Sequence, residues 1–339
     1  MHPGRGDVRE DGQDGDGGEM MNFTIGRDNL ALTVFVPWDC GNNCFFCTSK
    51  QKYAAYKADL KNVKWQLNRF FKGYSFPVKD VVFSGGEPMA NVDALAELIE
   101  LVPENKRIFV NTTFTKTGKN DFLNLIKKGR IDGVNISRHH ELYKKDCEWF
   151  CDIADDSEID EIPCHVRINC VLKDQNIAEL VERWKGKNVV LNLRCDYRSM
   201  TKEKLHDPYD VEVMELLKMG YRFESHTQCG VCDTTVFAHK DDTMPTVMYH
   251  KGMRASSVLS DDLLEINDFI IDQSGRLMYD WDHTDMELLE KILLPYRKLG
   301  IMENIYRSNA IVTKAVDNML IYSGFRGCGG SGGCGGRGC

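Results

Sequence analysis

Between residues 30 and 197 the chain alternates short apolar, β-branched runs with longer helical stretches, six times over. The strand-like runs are LALTVFVP (30–37), KDVVFSGGEP (79–88), RIFVNTTF (107–114), DGVNISRHH (132–140), CHVRINCVL (164–172) and NVVLNLRCDY (188–197). Between them the apolar residues recur at helical spacing, as at Leu60, Val63, Leu67, Phe70 and Phe71 within a stretch spanning 49–73. Further helices are predicted over 91–102, with Asn91 as its N-cap, and over 119–129 and 177–186. Such alternation demands parallel strands with helical crossovers, because parallel neighbours cannot be joined by a tight turn. A complete eight-unit barrel needs two more units, and the pattern becomes irregular after about residue 225.

The remainder has a different texture. Residues 226–323 read as an α+β extension containing Cys229-Gly-Val-Cys232, a hairpin turning at Ser274-Gly275 and a helix near 284–298. The last sixteen residues, GFRGCGGSGGCGGRGC (324–339), are dominated by glycine and carry three regularly placed cysteines. Such chain has too little apolar surface to make a core and is expected to be flexible. The first twenty residues hold six glycines and six acids, and 1–21 is expected to be a disordered acidic extension with neither signal nor transit character.

No run of about 18 apolar residues occurs, so no membrane span is expected. The net charge of −8 argues against general nucleic-acid binding, whose affinity comes from lysine and arginine on phosphates. Thirteen cysteines without a secretion signal point to a reducing compartment, the cytoplasm by default, where clustered thiols bind metal more often than they pair.

The first strand runs into Asp39-Cys-Gly-Asn-Asn-Cys-Phe-Phe-Cys47. Three cysteines in one short loop are one fewer than a structural zinc or a [4Fe–4S] cube normally takes. Thiolates are soft ligands suited to iron–sulfur clusters, zinc or copper(I). A cube held by Cys40, Cys44 and Cys47 would keep one iron open; a zinc knuckle completed by a distant cysteine is the alternative. The loop follows the C-terminal end of a parallel strand, the edge where α/β folds place their chemistry. The second strand ends in Ser84-Gly85-Gly86-Glu87-Pro88, where two glycines let backbone approach a ligand and Glu87 sets a carboxylate beside them.

With both motifs in these positions, residues 30–225 resemble the radical S-adenosylmethionine (radical SAM) superfamily, which carries Cys-x-x-x-Cys-x-aromatic-Cys after its first strand and Gly-Gly-Glu after its second. The resemblance implies the fold class: α/β, a partial (β/α)6 TIM-like barrel over 22–225, followed by the C-terminal α+β extension and the Gly/Cys-rich tail. It implies a [4Fe–4S] cluster on Cys40, Cys44 and Cys47, with S-adenosylmethionine chelating the open iron. Gly85, Gly86 and Glu87 would hold the methionine amino group by backbone and side-chain contacts, and Phe46 would lie near the adenine. Ser137 and Asn169, at the ends of the fourth and fifth strands, would contact SAM's polar groups. Reductive cleavage would then give a 5′-deoxyadenosyl radical that abstracts hydrogen from substrate, with electrons from a donor such as flavodoxin or ferredoxin.

GVNISRHH and VRINCVLKDQN look most like the branch containing the molybdenum-cofactor cyclase and peptide-modifying enzymes. The cyclase's third auxiliary cysteine is missing downstream of Cys232, since none follows until Cys328. Cys229 and Cys232 therefore have three readings: an auxiliary iron–sulfur cluster shared with the tail cysteines, a zinc site, or a metal-free turn. Cys147, Cys151, Cys164, Cys170 and Cys195 fall on helix or strand patterns and are expected to be buried apolar residues. The substrate expected first is a peptide or protein side chain. A nucleotide or other small molecule, met by Arg138, Arg167 and Arg194, is the alternative, and a non-enzymatic cluster- or zinc-binding protein is the rival from another class.

Overall fold

All six strand runs form strands, and they pair in the order in which they occur. The computed structural model describes residues 22–25, 30–38, 40, 44, 46–47, 57–139, 152–173, 176–197, 200–205, 207, 210–229, 232–252, 263–279 and 286–298. The expected acidic N-terminus of 1–21, the tail of 324–339, and Cys147 and Cys151 lie outside them. The elements in chain order are β1 (Asn22–Ile25), β2 (Ala31–Val36), α1 (Leu60–Gly73), β3 (Asp80–Gly85), α2 (Val92–Ile99), β4 (Arg107–Thr112), α3 (Lys119–Lys127), β5 (Gly133–Ser137), β6 (His165–Val171), α4 (Ile177–Arg183) and β7 (Val190–Arg194). They continue with α5 (Lys202–Leu205), α6 (Val211–Lys218), β8 (Arg222–Cys229), β9 (Cys232–Ala238), β10 (Thr246–Gly252), β11 (Leu263–Ile266), β12 (Asp268–Ile271), β13 (Leu277–Met278) and α7 (Met286–Leu293).

The strands β2-β3-β4-β5-β6-β7 are hydrogen-bonded in that sequence, all parallel. The sheet does not stop at these six. It has eleven strands, in the order β13-β12-β2-β3-β4-β5-β6-β7-β10-β9-β8. Parallel β12 lies on β2 and parallel β10 on β7. The residues expected to form a separate-textured extension after 225 therefore widen the sheet at both edges. β1 pairs with β11 in a small second sheet.

Parallel crossovers are right-handed, so strands in sequential order collect their helices on one face. That face holds the continuous apolar core. Leu32, Val34 and Val36 of β2 join Val63, Leu67 and Phe70 of α1, all buried, and Val63 and Leu67 each contribute about 1.5–3 kcal/mol by leaving water. The other face is polar over much of its width. β6 alternates buried Val166, Ile168 and Cys170 with less buried His165, Arg167, Asn169 and Val171. Asn111 donates to Ser84 Oγ (3.4 Å), Asn135 donates to Asn111 Oδ1 (2.7 Å), and Asn192 donates to Asn169 Oδ1 (2.8 Å), giving amide ladders across neighbouring strands.

Local signals set the boundaries. α1 begins at Leu60, where Asp59 caps it by accepting from the Asn62 amide at 3.1 Å; residues 49–56 of the expected 49–73 stretch lie outside the described residues. Asn91 caps α2 as expected, accepting from Ala94 N at 3.0 Å. The β12–β13 hairpin turns through Ser274-Gly275, organised by the fully buried Asp272, which accepts from Ser274 N, Arg276 N and the Arg276 guanidinium. Gly275 has φ +86° and sits against α1, where an added Cβ would lie 2.6 Å from the Asn62 carbonyl carbon.

Candidate functional site

The C-terminal ends of β2 and β3 are neighbours, with Val36 opposite Gly85. The cysteine loop leaves β2 there, so the fold brings Cys40, Cys44 and Cys47 to the edge where Gly85-Gly86-Glu87 leaves β3. All three cysteines are half-buried and unbridged by disulfides. The loop closes on itself through Cys47 N–H donating to Cys44 O at 3.0 Å. Phe46 stands edge-on to His139 at the end of β5, with ring centroids 4.5 Å apart, and its carbonyl accepts from Tyr197 Oη at 3.3 Å. These contacts tie the loop to β5 and to the segment after β7. His139 in turn accepts the Val171 amide on Nδ1 at 3.2 Å. Burial first, then Arg194 and Arg138, pushes the His139 pKa down to about 3, so the ring is neutral.

Gly85 adopts φ +118°, a conformation closed to side chains with a Cβ, so the glycine is required for the strand to turn here. Glu87 is buried, with 2% exposure, and its carboxylate accepts from Met89 N (3.0 Å), Thr112 Oγ1, Thr113 N (2.7 Å) and Thr113 Oγ1 (2.6 Å). A carboxylate offers about four acceptor sites. All four are taken, so in this structure the side chain is a clamp between β3 and β4. Phe114 follows at φ +55°, a strained value for an aromatic residue, buried and with its amide on Thr112 Oγ1 at 2.9 Å.

Arg138 belongs to the same support. Its guanidinium donates to the carbonyls of Thr113, Ser137 and Ala154 and pairs with Asp156 at 3.1 Å, while its charge lies near Glu87. Ser137 and Asn169 are opposite one another in the β5–β6 register. Ser137 makes no side-chain hydrogen bond among the described residues. Asn169 uses Oδ1 for Asn192.

Of the remaining cysteines, Cys170 is buried, and burial pushes the thiols of Cys164 and Cys195 up to about 11. Cys164 and Cys195 are half-buried where full burial was expected, and Cys195 Sγ donates to Tyr249 Oη at 3.2 Å. Cys229 and Cys232 face each other across the β8–β9 hairpin, and Cys232 is in a disulfide, which removes its thiolate from metal binding in this state. Thr112, Thr113, Tyr197 and the anchoring role of His139 escaped the sequence reading. Adjacent threonines at a strand's C-terminal end were the one available signal.

Residues 28–145 match the family described as "4Fe-4S single cluster domain". The match contains all three cysteines of the loop. Two solved structures of Streptococcus suis SuiB are also similar: the form bound to S-adenosylmethionine (18% identity, TM-score 0.39, covering 56% of this chain and 46% of that chain) and a second (19%, 0.36, 49% and 39%). The chain thus spans less than half the length of either. Among curated proteins none matches.

The donor set fits a cluster. Three soft thiols share one loop, Cys40, Cys44 and Cys47, and thiolates are the ligands an iron–sulfur cluster takes. Among the described residues no helix is long and apolar enough to cross a membrane.

Proposed function

We propose that this chain is a radical SAM enzyme, with a [4Fe–4S] cluster on Cys40, Cys44 and Cys47 and S-adenosylmethionine beside it. The observation that carries the reading is the adjacency of the three-cysteine loop to the Gly85-Gly86 turn at the ends of two paired parallel strands. When bound, such a cluster supplies an electron that cleaves S-adenosylmethionine reductively to a 5′-deoxyadenosyl radical. The six parallel strands in sequence order are read as a partial barrel whose polar face lines the reaction space.

The chain's own contribution is binding and orientation. The backbone of Gly85 and Gly86, unhindered by side chains, meets the amino group of the methionine moiety. Ser137 and the Asn169 amide offer polar contacts at the ends of β5 and β6. Phe46, held by His139 and Tyr197, presents an aromatic surface for the adenine. Glu87, Thr112, Thr113 and Arg138 keep the turn fixed from behind. The substrate is read as a peptide or protein side chain, and the reductant as an external donor such as flavodoxin or ferredoxin.

Anaerobic reconstitution followed by iron, sulfide and 5′-deoxyadenosine quantification tests this reading. Wild type should bind four irons per cluster and release 5′-deoxyadenosine under reduction, and Cys44→Ala should do neither. Tetrahedral zinc on the three cysteines, with no 5′-deoxyadenosine formed, would overturn it.

A further inference from the structure

Two arginines on the polar face of the sheet have no counter-ion among the described residues. Arg167 lies on β6, opposite Asn135 of β5 and Val190 of β7. Arg194 ends β7, opposite Val171 of β6 and His250 of β10. Residues on a strand alternate faces, and paired residues share one, so Asn135, Arg167, Asn169, Asn192, Arg194 and His250 all project to the same side. Among the described residues neither guanidinium takes part in a hydrogen bond or ion pair, and Arg167 Nε is buried without a partner. Other arginines are provided for: Arg107 is bidentate to Asp80, Arg183 pairs with Asp156, and Arg276 with Asp272. Among the described residues the acid acting on Arg167 is Asp80, and it is committed to Arg107.

We propose that Arg167 and Arg194, with His250 beside them, form a binding site for an oxyanion, the carboxylate or phosphate group of the substrate. Arranging two cations on one half-enclosed surface costs repulsion and lost hydration, and a bridging anion offsets both with charge-assisted hydrogen bonds. Arg194 is exposed at the C-terminal end of β7. Burial by the surrounding protein lowers its pKa, and Arg167 adds to the effect. His250 meets Thr234 Oγ1 through Nδ1 at 2.8 Å; where the hydroxyl donates that bond, Nε2 carries the ring proton and can donate to an anion. Its pKa is pushed down to about 3 by burial, then Arg194, then Arg167. Arg194 also acts on His139, which holds Phe46, so the anion site adjoins the cysteine loop. The proposal rests on the radical SAM reading only in calling the anion a substrate group; the anion site itself does not need it.

Calorimetric titration of the reconstituted full chain with inorganic pyrophosphate, with succinate and with S-adenosylmethionine separates the cases. At least one of the first two should bind at millimolar concentration, and which one binds tighter distinguishes phosphate from carboxylate. Arg194→Met and Arg167→Met should each weaken that binding by roughly 10- to 100-fold, as expected for loss of a charged hydrogen bond, and Arg→Lys should restore part of it. Affinity for S-adenosylmethionine should not change, and neither Met variant should melt below wild type, because each removes an uncompensated charge. If either fails to fold, the Lys variant and wild-type competition carry the test. Absence of binding by both anions overturns the proposal. So does competition between anion and S-adenosylmethionine with equal losses in the variants, which would make the arginines contacts for the SAM carboxylate. If wild type binds the anion yet neither binds S-adenosylmethionine nor forms 5′-deoxyadenosine, the anion site stands and the radical SAM reading falls.

Discussion

Glu87→Gln should act on the fold before it acts on a ligand. The wild-type carboxylate accepts from two backbone amides, of Met89 and Thr113, and two hydroxyls, of Thr112 and Thr113. Glutamine keeps one acceptor oxygen and turns the other into a donor. If the amide nitrogen takes the Oε2 position, it faces the Thr113 amide and hydroxyl; the hydroxyl can rotate to accept, but the backbone N–H cannot. One buried donor is then orphaned, at about 1–3 kcal/mol, and the surviving bonds lose their charge assistance, about 1 kcal/mol more. The buried Arg138 also loses a nearby compensating charge. A total of roughly 2–4 kcal/mol is expected. Urea unfolding of Glu87→Gln, Thr113→Val and the double variant measures it, since the cycle isolates the coupling between the two side chains. Coupling above about 1 kcal/mol supports the clamp. A Glu87→Gln protein as stable as wild type that nevertheless fails to bind S-adenosylmethionine would refute the reasoning, because the carboxylate would then be serving the ligand directly.

Three further outcomes are expected. Cys40→Ser and Cys47→Ser should each abolish iron retention after anaerobic reconstitution, whereas Cys164→Ser and Cys195→Ser should retain it, and the last two thiols should resist alkylation at pH 8 because burial holds them near 11. The folded-state pKa of His250 is about 3, below the ordinary 6.5, under burial and the facing Arg194 and Arg167. Its contribution is therefore present above pH 6.5 and is lost as pH falls toward 3, at up to ~1.4 kcal/mol per unit, and His250→Gln should flatten the urea midpoint over that window. Gly275→Ala should lower stability by about 1–3 kcal/mol from its left-handed backbone alone, with further loss from the 2.6 Å approach to Asn62, and a melting temperature equal to wild type would contradict the packing.

The parallel strands were legible because each is an apolar run flanked by a helical period, and the Asn91 cap because the signal is local. The start of α1 is likewise a local matter, since the Asp59 side chain caps Leu60–Gly73. β10 was missed for the opposite reason. TVMYHKG reads as polar, yet Val247, Tyr249 and Lys251 are buried, the lysine because its Nζ reaches Asp210 Oδ2 and the Asp207 carbonyl, both at 2.7 Å. No local pattern predicts a buried lysine, since its partners lie some forty residues away. The Glu87 clamp was hidden likewise, its threonines following 25 and 26 positions later.

What the polar face can offer a ligand follows from which of its groups are already spent. Ser84, Asn111 and Asn135 are bonded to one another along the ladder, and Arg138 spends four of its donors on three carbonyls and Asp156. Asn169 accepts from Asn192 through Oδ1, which leaves its N–H donors for a ligand. Among the described residues Ser137, the Asn169 amide, Arg167 and Arg194 keep donor capacity on this face, while Asn192 Oδ1 is a buried acceptor without a partner. A surface of unspent donors at the mouth of parallel strands selects for acceptors: carboxylate, phosphate or ribose oxygens. Hydrogen-bond accounting and unpaired charge point to the same ligand chemistry, with Arg167 and Arg194 entering both and Ser137 and Asn169 entering only the first.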